Sequence, residues 1–468
     1  MKKTAGTLLV FIFLATAALH GESVRQLSMK EFITLSAKND PYFQRTLIDA
    51  LYLRYKKDLQ LPVSDLIASL SGEYGLLLDP APSQKPGDYS AALTLSKLFP
   101  YTGTEVSAGY QKTEDYTLSS YRYTSSLSFQ ISQSIARNAF GGNTRLLDKK
   151  IEAENQLIRY QVVEAYEDYM ASLMKLYLQW YSQKKQLEVA KSVHEDNTQL
   201  YEMAKQKVRF KVALPQEADK VYLELLISRE NILALEEKLK TLEQSIFSAT
   251  GISAGENGLS PALPSLPVES IPKDRAQLLK SISGTRTFFM LSVLEKQGLF
   301  ALDIARNELL PSAKLFAGYG MLGQSYDLTN PEHQIYGGVT VDFNFGRQAE
   351  KANYESAKLD TLKNRFEREH TLLTLKNDII RLASGIESQK KLIRIAEEKT
   401  EVSKSILEAE KKNYQIGKTS LNDLILAKKN AYESIYDQLE REVTLFVQVV
   451  EWKRVTDRLV EKNDIYGD

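Results

Sequence analysis

The chain has 468 residues, a formal charge of zero at pH 7 (60 basic against 60 acidic side chains) and no cysteine. That balance gives no footing for nucleic acid as a partner, and the missing cysteine excludes disulfides and a lipid-anchored N-terminal Cys. Beyond the N-terminus no apolar run approaches eighteen residues, and the best, from Leu445 to Val450, is broken by Gln448. Any later membrane crossing must therefore be made of β-strands.

Met1-Lys2-Lys3 and the apolar run from Leu8 to Ala18 predict a secretory signal over 1–21, cut between Ala17 and Glu22. Residues 28–61 predict an amphipathic helix interrupted near Pro41, with Leu47, Leu51 and Tyr55 at helical spacing before Leu61-Pro62. The period then changes to two. Strands are predicted over 64–76, 89–99, 103–113 and 122–134, with Leu93 and Leu95 opposing Thr94 and Ser96, and Leu127, Phe129 and Ile131 opposing Ser126, Ser128, Gln130 and Ser132. A soluble sandwich with one wet face gives the same alternation. The signal, the aromatics at strand ends (Tyr74, Phe99, Tyr101, Tyr110, Tyr121, Tyr123) and lengths near the ~9–11 residues that cross a bilayer favour a membrane sheet.

From Asn143 to Leu214 there is neither Gly nor Pro. This predicts a helix of roughly 100 Å at ~1.5 Å per residue. It turns at Val212-Ala213-Leu214-Pro215 and returns over 216–249, and the Gly- and Pro-rich stretch 251–272 reads as a linker. The same order then recurs. Leu310-Pro311 precedes strands over 312–320 and 336–345, Gly346 opens a long helix over 347–416, and a return helix covers 420–461. In that long helix Leu375, Ile379, Leu382, Ile386 and Ile393 follow coiled-coil spacing. A shift of 204 superposes Gly142 on Gly346 and Ala213 on Gly417, which argues for a duplication, 22–250 and 273–468. The expected fold is an α+β membrane protein. Six strands fall below the barrel minimum of about eight, so copies should share one barrel with a polar lumen, which the coiled coils continue as a tube.

No catalytic constellation stands out. Past the signal the chain has only His194, His333 and His370, with no metal-ligand spacing, and Gly141-Gly142-Asn143-Thr144 lacks the ending of a phosphate loop. Neither metal nor cofactor is expected, and Gly142 and Gly346 are read as strand-to-helix junctions.

Several local motifs, in this order, resemble the TolC-like outer-membrane efflux protein family over essentially the whole mature chain. Asn307-Glu308-Leu309-Leu310-Pro311-Ser312 with Ala317-Gly318-Tyr319-Gly320 looks like a strand entry, Val341-Asp342-Phe343-Asn344-Phe345-Gly346-Arg347 like a strand-to-helix junction, and Asn413-Tyr414-Gln415-Ile416-Gly417-Lys418-Thr419-Ser420-Leu421-Asn422-Asp423 like the periplasmic turn. The resemblance implies a homotrimer in outer-membrane lipid, with a shared β-barrel and a periplasmic α-helical barrel. It also implies docking on a periplasmic adaptor and an inner-membrane pump of RND, ABC or MFS type, and passive export.

It further implies a periplasmic gate with Asp423 at a constriction position, Asp219 as its first-half counterpart and Tyr414 as the gate tyrosine. The family arginine is replaced by Thr419, with Lys418 beside it, and the second acidic position is Leu426. Asp219 and Asp423 also stand where a carboxylate favours a helix N-terminus. The turns at Val212, Ala213, Leu214, Pro215, Ile416 and Gly417 are the expected adaptor contacts. The family commonly contributes four strands per protomer. The extra hairpin around Phe99 to Gly103 either widens the barrel to eighteen strands or projects as a loop, and its clean alternation favours the first. A pore-free periplasmic coiled-coil scaffold is the competing reading.

Overall fold

The computed structural model describes residues 26–39, 55–76, 78, 87–115, 122–251, 260–264, 271–272, 274–323, 328 and 330–460. The signal, the break near Pro41, Tyr121, most of the linker and the end of the chain past 460 lie outside these. In chain order the elements are β1 (Gln26–Leu27), α1 (Met29–Asn39), a helical turn over 55–60, β2 (Leu66–Leu76), β3 (Gly87–Phe99), β4 (Thr104–Asp115), β5 (Arg122–Ser134), α2 (Gly142–Arg209), α3 (Pro215–Thr250) and β6 (Ser260–Pro261). The second half adds α4 (Arg275–Ile282), α5 (Arg286–Glu308), β7 (Ser312–Gly323), β8 (Glu332–Asp342), α6 (Gln348–Gln415) and α7 (Leu421–Val455).

Two compact units are formed, and each draws on both halves of the sequence. One comprises 1–41, 170–270 and 384–451, the other 42–169, 271–383 and 452–468.

The second unit carries one six-stranded antiparallel sheet in the order β2-β3-β4-β5-β7-β8. All six predicted strands are present. The extra hairpin is part of the sheet and not a projecting loop, because β2 pairs with β3 and β3 with β4 along their lengths. Several boundaries shift. β2 begins at Leu66, β3 at Gly87 and β4 at Thr104, β4 and β7 run on to Asp115 and Gly323, and β8 spans Glu332–Asp342, leaving Phe343 to Phe345 beyond the ladder. One face of the sheet is apolar and open, with Leu70 at 82% and Ile335 at 87% exposure. The other carries Ser, Thr, Gly and Gln. Among the described residues, both edge strands, β2 and β8, lack a partner on their outer side.

The β3–β4 turn packs on the strand-to-helix junction. Gln133 donates to the Thr102 carbonyl (2.8 Å) and accepts from Thr104 (2.7 Å), while Arg145 donates to the carbonyls of Tyr101 and Phe140. A Cβ on Gly141 would stand 2.2 Å from the Tyr101 carbonyl oxygen, so only glycine fits there.

The long helices carry apolar seams. On α6 Leu375, Ile379 and Leu382 in the sheet-bearing unit and Ile386 in the helical one are buried as predicted, Ile393 is half-buried, and the run continues through Gln389, Ala396, Thr400, Leu407 and Tyr414. Up to Thr400 the steps alternate by four and three, and the last two are seven, the spacing that keeps one stripe facing partner helices. In the helical unit (1–41, 170–270 and 384–451) the short pair β1–β6 rests on Tyr177, whose hydroxyl bridges the carbonyls of Leu27 (2.7 Å) and Ala262 (2.8 Å). One residue of this pair is a proline, so the tyrosine supplies bonding that two residues of ladder cannot.

Candidate functional site

The two helix turns of the helical unit hold the candidate site, and their backbone fixes the true register of the duplication. Each long helix closes on a residue in the left-handed region, Gly417 (φ 73) and Lys211 (φ 57), which stand 206 apart. At the other end Phe140 (φ 47) and Gly141 (φ 71) match Gly346 (φ 92) and Arg347 (φ 50) at the same interval. α2 and α6 are each 68 residues long. Buried pairs agree, Ala190 with Ala396 and Ser228 with Ser434. So do the cross-helix bonds His194 to Ser228 (2.9 Å) and Thr400 to Ser434 (3.1 Å), both over a separation of 34.

The interval is therefore 206 and not 204, which corrects three expectations. Gly142 has ordinary helical φ (−58°) and opens α2, so the first-half junction is Phe140-Gly141. Ala213 is not the equivalent of Gly417; Lys211 is. The counterpart of Asp423 is Glu217, two residues before Asp219. Aligning visible glycines misled here because a lysine and a phenylalanine occupy left-handed positions that glycine usually fills.

Asp423 stands exposed in the first turn of α7. Its Oδ2 accepts from the Ser420 hydroxyl (2.6 Å) and at 3.5 Å from Thr419, while its own N–H donates to Ser420 Oγ (3.2 Å). This is a reciprocal helix cap. Asp219 and Lys418 are exposed, and Lys418 holds the turn through its backbone N–H to the Asn413 carbonyl (2.8 Å). Pro215 opens α3 at a position where its missing N–H costs nothing. Apolar side chains crown both turns, with Phe210, Val212, Leu214 and Ile416 all exposed.

Tyr414 is 4% exposed and sits in a cluster with Leu200, Ala204, Val221, Leu407, Leu421 and Leu424. Lys207 from α2 places its ammonium 3.6 Å from the ring centroid and donates to the Tyr414 carbonyl (2.7 Å). Burial, with the charge of Glu217, pushes the phenol up, and its hydroxyl has no partner among the described residues.

Further along the same helices lies a buried polar network that sequence reasoning missed. Asp196 accepts from Tyr432 (2.5 Å) and Lys411 (3.4 Å), and Lys428 donates to Asn197. Burial lowers the Lys428 ammonium to about 8 and raises the Tyr432 phenol. Lys428 continues the spacing of Leu421, Leu424 and Ala431, so a lysine on an apolar stripe was the available signal. Lys207 gave none.

In the other unit Arg286, the first residue of α5, meets Glu164, Glu167 and Asp457. Its Nη2 pairs with Glu167 and with Asp457 (3.0 Å), and its Nε lies 3.4 Å from Glu164. Burial raises all three carboxyls, Glu167 to about 7. The three carboxylates lie close enough to hold a metal ion, but the guanidinium occupies the place a cation would take.

No family model and no curated sequence matches the chain. Solved structures do. The transmembrane channel CusC aligns with a TM-score of 0.71 at 11% identity over 92% of this chain and 91% of its own. The CmeC outer membrane channel of Campylobacter jejuni gives 0.69 at 14% over 93% and 87%, and the open state of the MtrE outer membrane channel of Neisseria gonorrhoeae gives 0.68 at 14% over 92% and 88%. The fold is that of the TolC-like outer-membrane channels. The chain shares it over nearly its full length, with six strands in its sheet.

Proposed function

We propose that this chain is the passive outer-membrane channel of a tripartite efflux or type I secretion assembly. Three copies share one barrel of eighteen strands, and the long helices continue the conduit on the periplasmic side. An adaptor and an inner-membrane pump of RND, ABC or MFS type complete it. The observation that carries the reading is the sheet, with one face of exposed Leu, Ile, Val and Phe, one of small polar residues, and two unpaired edges. A lipid-facing and a water-facing surface on one antiparallel sheet is the membrane-barrel arrangement. Further support comes from α6, where Leu359, Leu362, Phe366 and Leu373 stay exposed at coiled-coil spacing, a second seam for a neighbouring copy. A soluble docking sheet on a pore-free scaffold would leave the apolar face in water, so that reading is the weaker one.

The exposed apolar crowns at Phe210, Val212, Leu214, Pro215 and Ile416, with Ala213 and Gly417 between them, suit the tip of an adaptor. Asp423, with Thr419 bonded to it and Lys418 in the same turn, is the proposed ring of negative charge at the periplasmic mouth, with Glu217 in place of Asp219 as its counterpart by register, and Tyr414 in the same hairpin. Three carboxylates about an axis favour cations. Purified protein in planar bilayers should give discrete, cation-selective steps, and Asp423→Ala should reduce that selectivity. Steps unchanged by the substitution would leave the channel and remove Asp423 from the gate. Folded protein that never inserts would remove the channel.

A further inference from the structure

The six-stranded sheet is a skewed strip. Along the hydrogen-bonding direction Leu66 is level in turn with Lys97, Val106, Ile131, Ala317 and Gly337. β8 nevertheless runs on to Asp342, five residues past that level. The opposite corner mirrors this. Glu332 traverses through Leu322, Ser126, Gln111 and Ala92 to Ser71, and β2 continues five residues to Leu76. A drift of one residue per strand step, at ~3.3 Å along and ~4.8 Å across, is a tilt of about 35°, within the range of membrane barrels.

We propose that β8 of one copy pairs antiparallel with β2 of the next in one register, Leu66 opposite Phe343 and Ser64 opposite Phe345, and that Phe345 fills a cavity beside the start of β2. The proposal rests on the channel reading above and names its subunit contact. The closing step adds one residue to the five of drift, a total shift of six. An even shift keeps Leu66 and Phe343 on the same outward face, whereas an odd one would turn the apolar face of a copy into the lumen. An even number of strands makes the two edges run in opposite directions, so the closing pair is antiparallel like the rest.

The cavity supplies the second, independent argument. It measures about 730 Å³ and lies between the segment leading into β2 and the β3–β4 turn, with Pro62, Val63, Phe99 and Pro100 as its apolar wall and Lys57, Asp58, Asp65 and Lys97 as charged groups around it. Lys97 and Phe99 continue the outward series of Leu93 and Leu95, so the cavity opens on the outward face. Phe345 follows Val339, Val341 and Phe343 on the outward face of the opposite edge, and is 94% exposed. Phe343 braces it edge-on (ring centroids 5.4 Å) and is itself covered by the Arg347 guanidinium at 4.0 Å. One edge thus presents a held aromatic ring, and the other an open recess, part apolar and rimmed by charged side chains, at the matching height.

The chain has no cysteine, so introduced pairs report without background. The full-length protein in its membrane, carrying Leu66→Cys with Phe343→Cys, should oxidise to a covalent trimer. Ile67→Cys with Phe343→Cys, one residue out of register, should give at least tenfold less. Equal or stronger bridging by the slipped pair would overturn the register. Absence of bridging in both, in protein that still runs as an oligomer unboiled, would overturn closure through these edges. A monomer that conducts nothing would overturn the channel reading with it. Phe345→Ala should lower the temperature at which the unbridged oligomer dissociates by several degrees, and dissociation at the wild-type temperature would overturn the socket alone.

Discussion

Lys428 is 7% exposed on a stripe otherwise made of Leu and Ala, and its ammonium reaches Asn197 in the shelter of Asp196. Burial disfavours the charged form, which is why its proton is held only to about pH 8 and not to the ordinary 10.5. The unfolded chain therefore binds the proton more tightly between these values. Stability gained from relieving the buried charge rises through pH 8 to 10.5 and is absent below. At ~1.4 kcal/mol per pH unit this amounts to about 3 kcal/mol. Lys428→Met, similar in length and free of charge, should raise the melting temperature of the helices at pH 7 and abolish the gain above pH 8. Thermal unfolding followed by circular dichroism at pH 7 and 10 checks this. A lower melting temperature at pH 7 would mean that the hydrogen bond to Asn197 outweighs the buried charge.

At the scale of elements, the two helix hairpins solve one geometric problem with different residues. Gly417 occupies its left-handed turn without strain, and no heavy atom lies within 4 Å of where its Cβ would be. Lys211 bears that strain at the equivalent place, so Lys211→Gly should stabilise and Gly417→Ala should destabilise, each by about 1 kcal/mol. Equal melting temperatures for the two variants would count against the register of 206. Long helices, strand alternation and turn positions were legible in the sequence because each is a local pattern extended over many residues. The register was less so: a two-residue error arose from matching Gly142 with Gly346, where the structure matches Phe140. Asp423 was legible as a carboxylate at a helix start, and its bonds to Ser420 make it a cap. Its place relative to an axis belongs to the assembly and not to one chain. The polar network around Asp196 was invisible for a simpler reason, since Tyr432 and Lys411 come from other helices more than two hundred residues away.

At the scale of the whole chain, Arg286 joins residues 164 and 167 in α2 to residue 457 after α7, tying three distant parts of the sequence to one guanidinium. Three carboxylates against one cation leave an excess of negative charge in a buried place. Glu167, with no exposed surface, keeps its proton to about pH 7 against 4.5 when unfolded. The folded state therefore binds more protons in that window, so the contribution of Glu167 to stability is full at and below pH 4.5, is lost as pH rises to about 7, and is flat beyond. Glu167→Gln should remove that slope while keeping the melting temperature at pH 8 at or above wild type. Arg286→Met, which strands the acids, should cost about 3–5 kcal/mol at pH 8. Melting curves of the three proteins at pH 5 and 8 separate these outcomes, and a Glu167→Gln variant retaining the full slope would assign it elsewhere.

The ladder between β5 and β7 has a consequence in time. Ser134 pairs with Lys314, 180 residues later in the chain, so the first four strands can be complete while their next neighbour has not yet arrived. Until α2, α3 and α5 have followed it, β5 presents an unpaired edge. Closing so long a loop is slow, and open strand edges that wait for a partner are prone to aggregate. That exposure is written into strand order, and on the proposed channel reading it is greatest before a second copy is met.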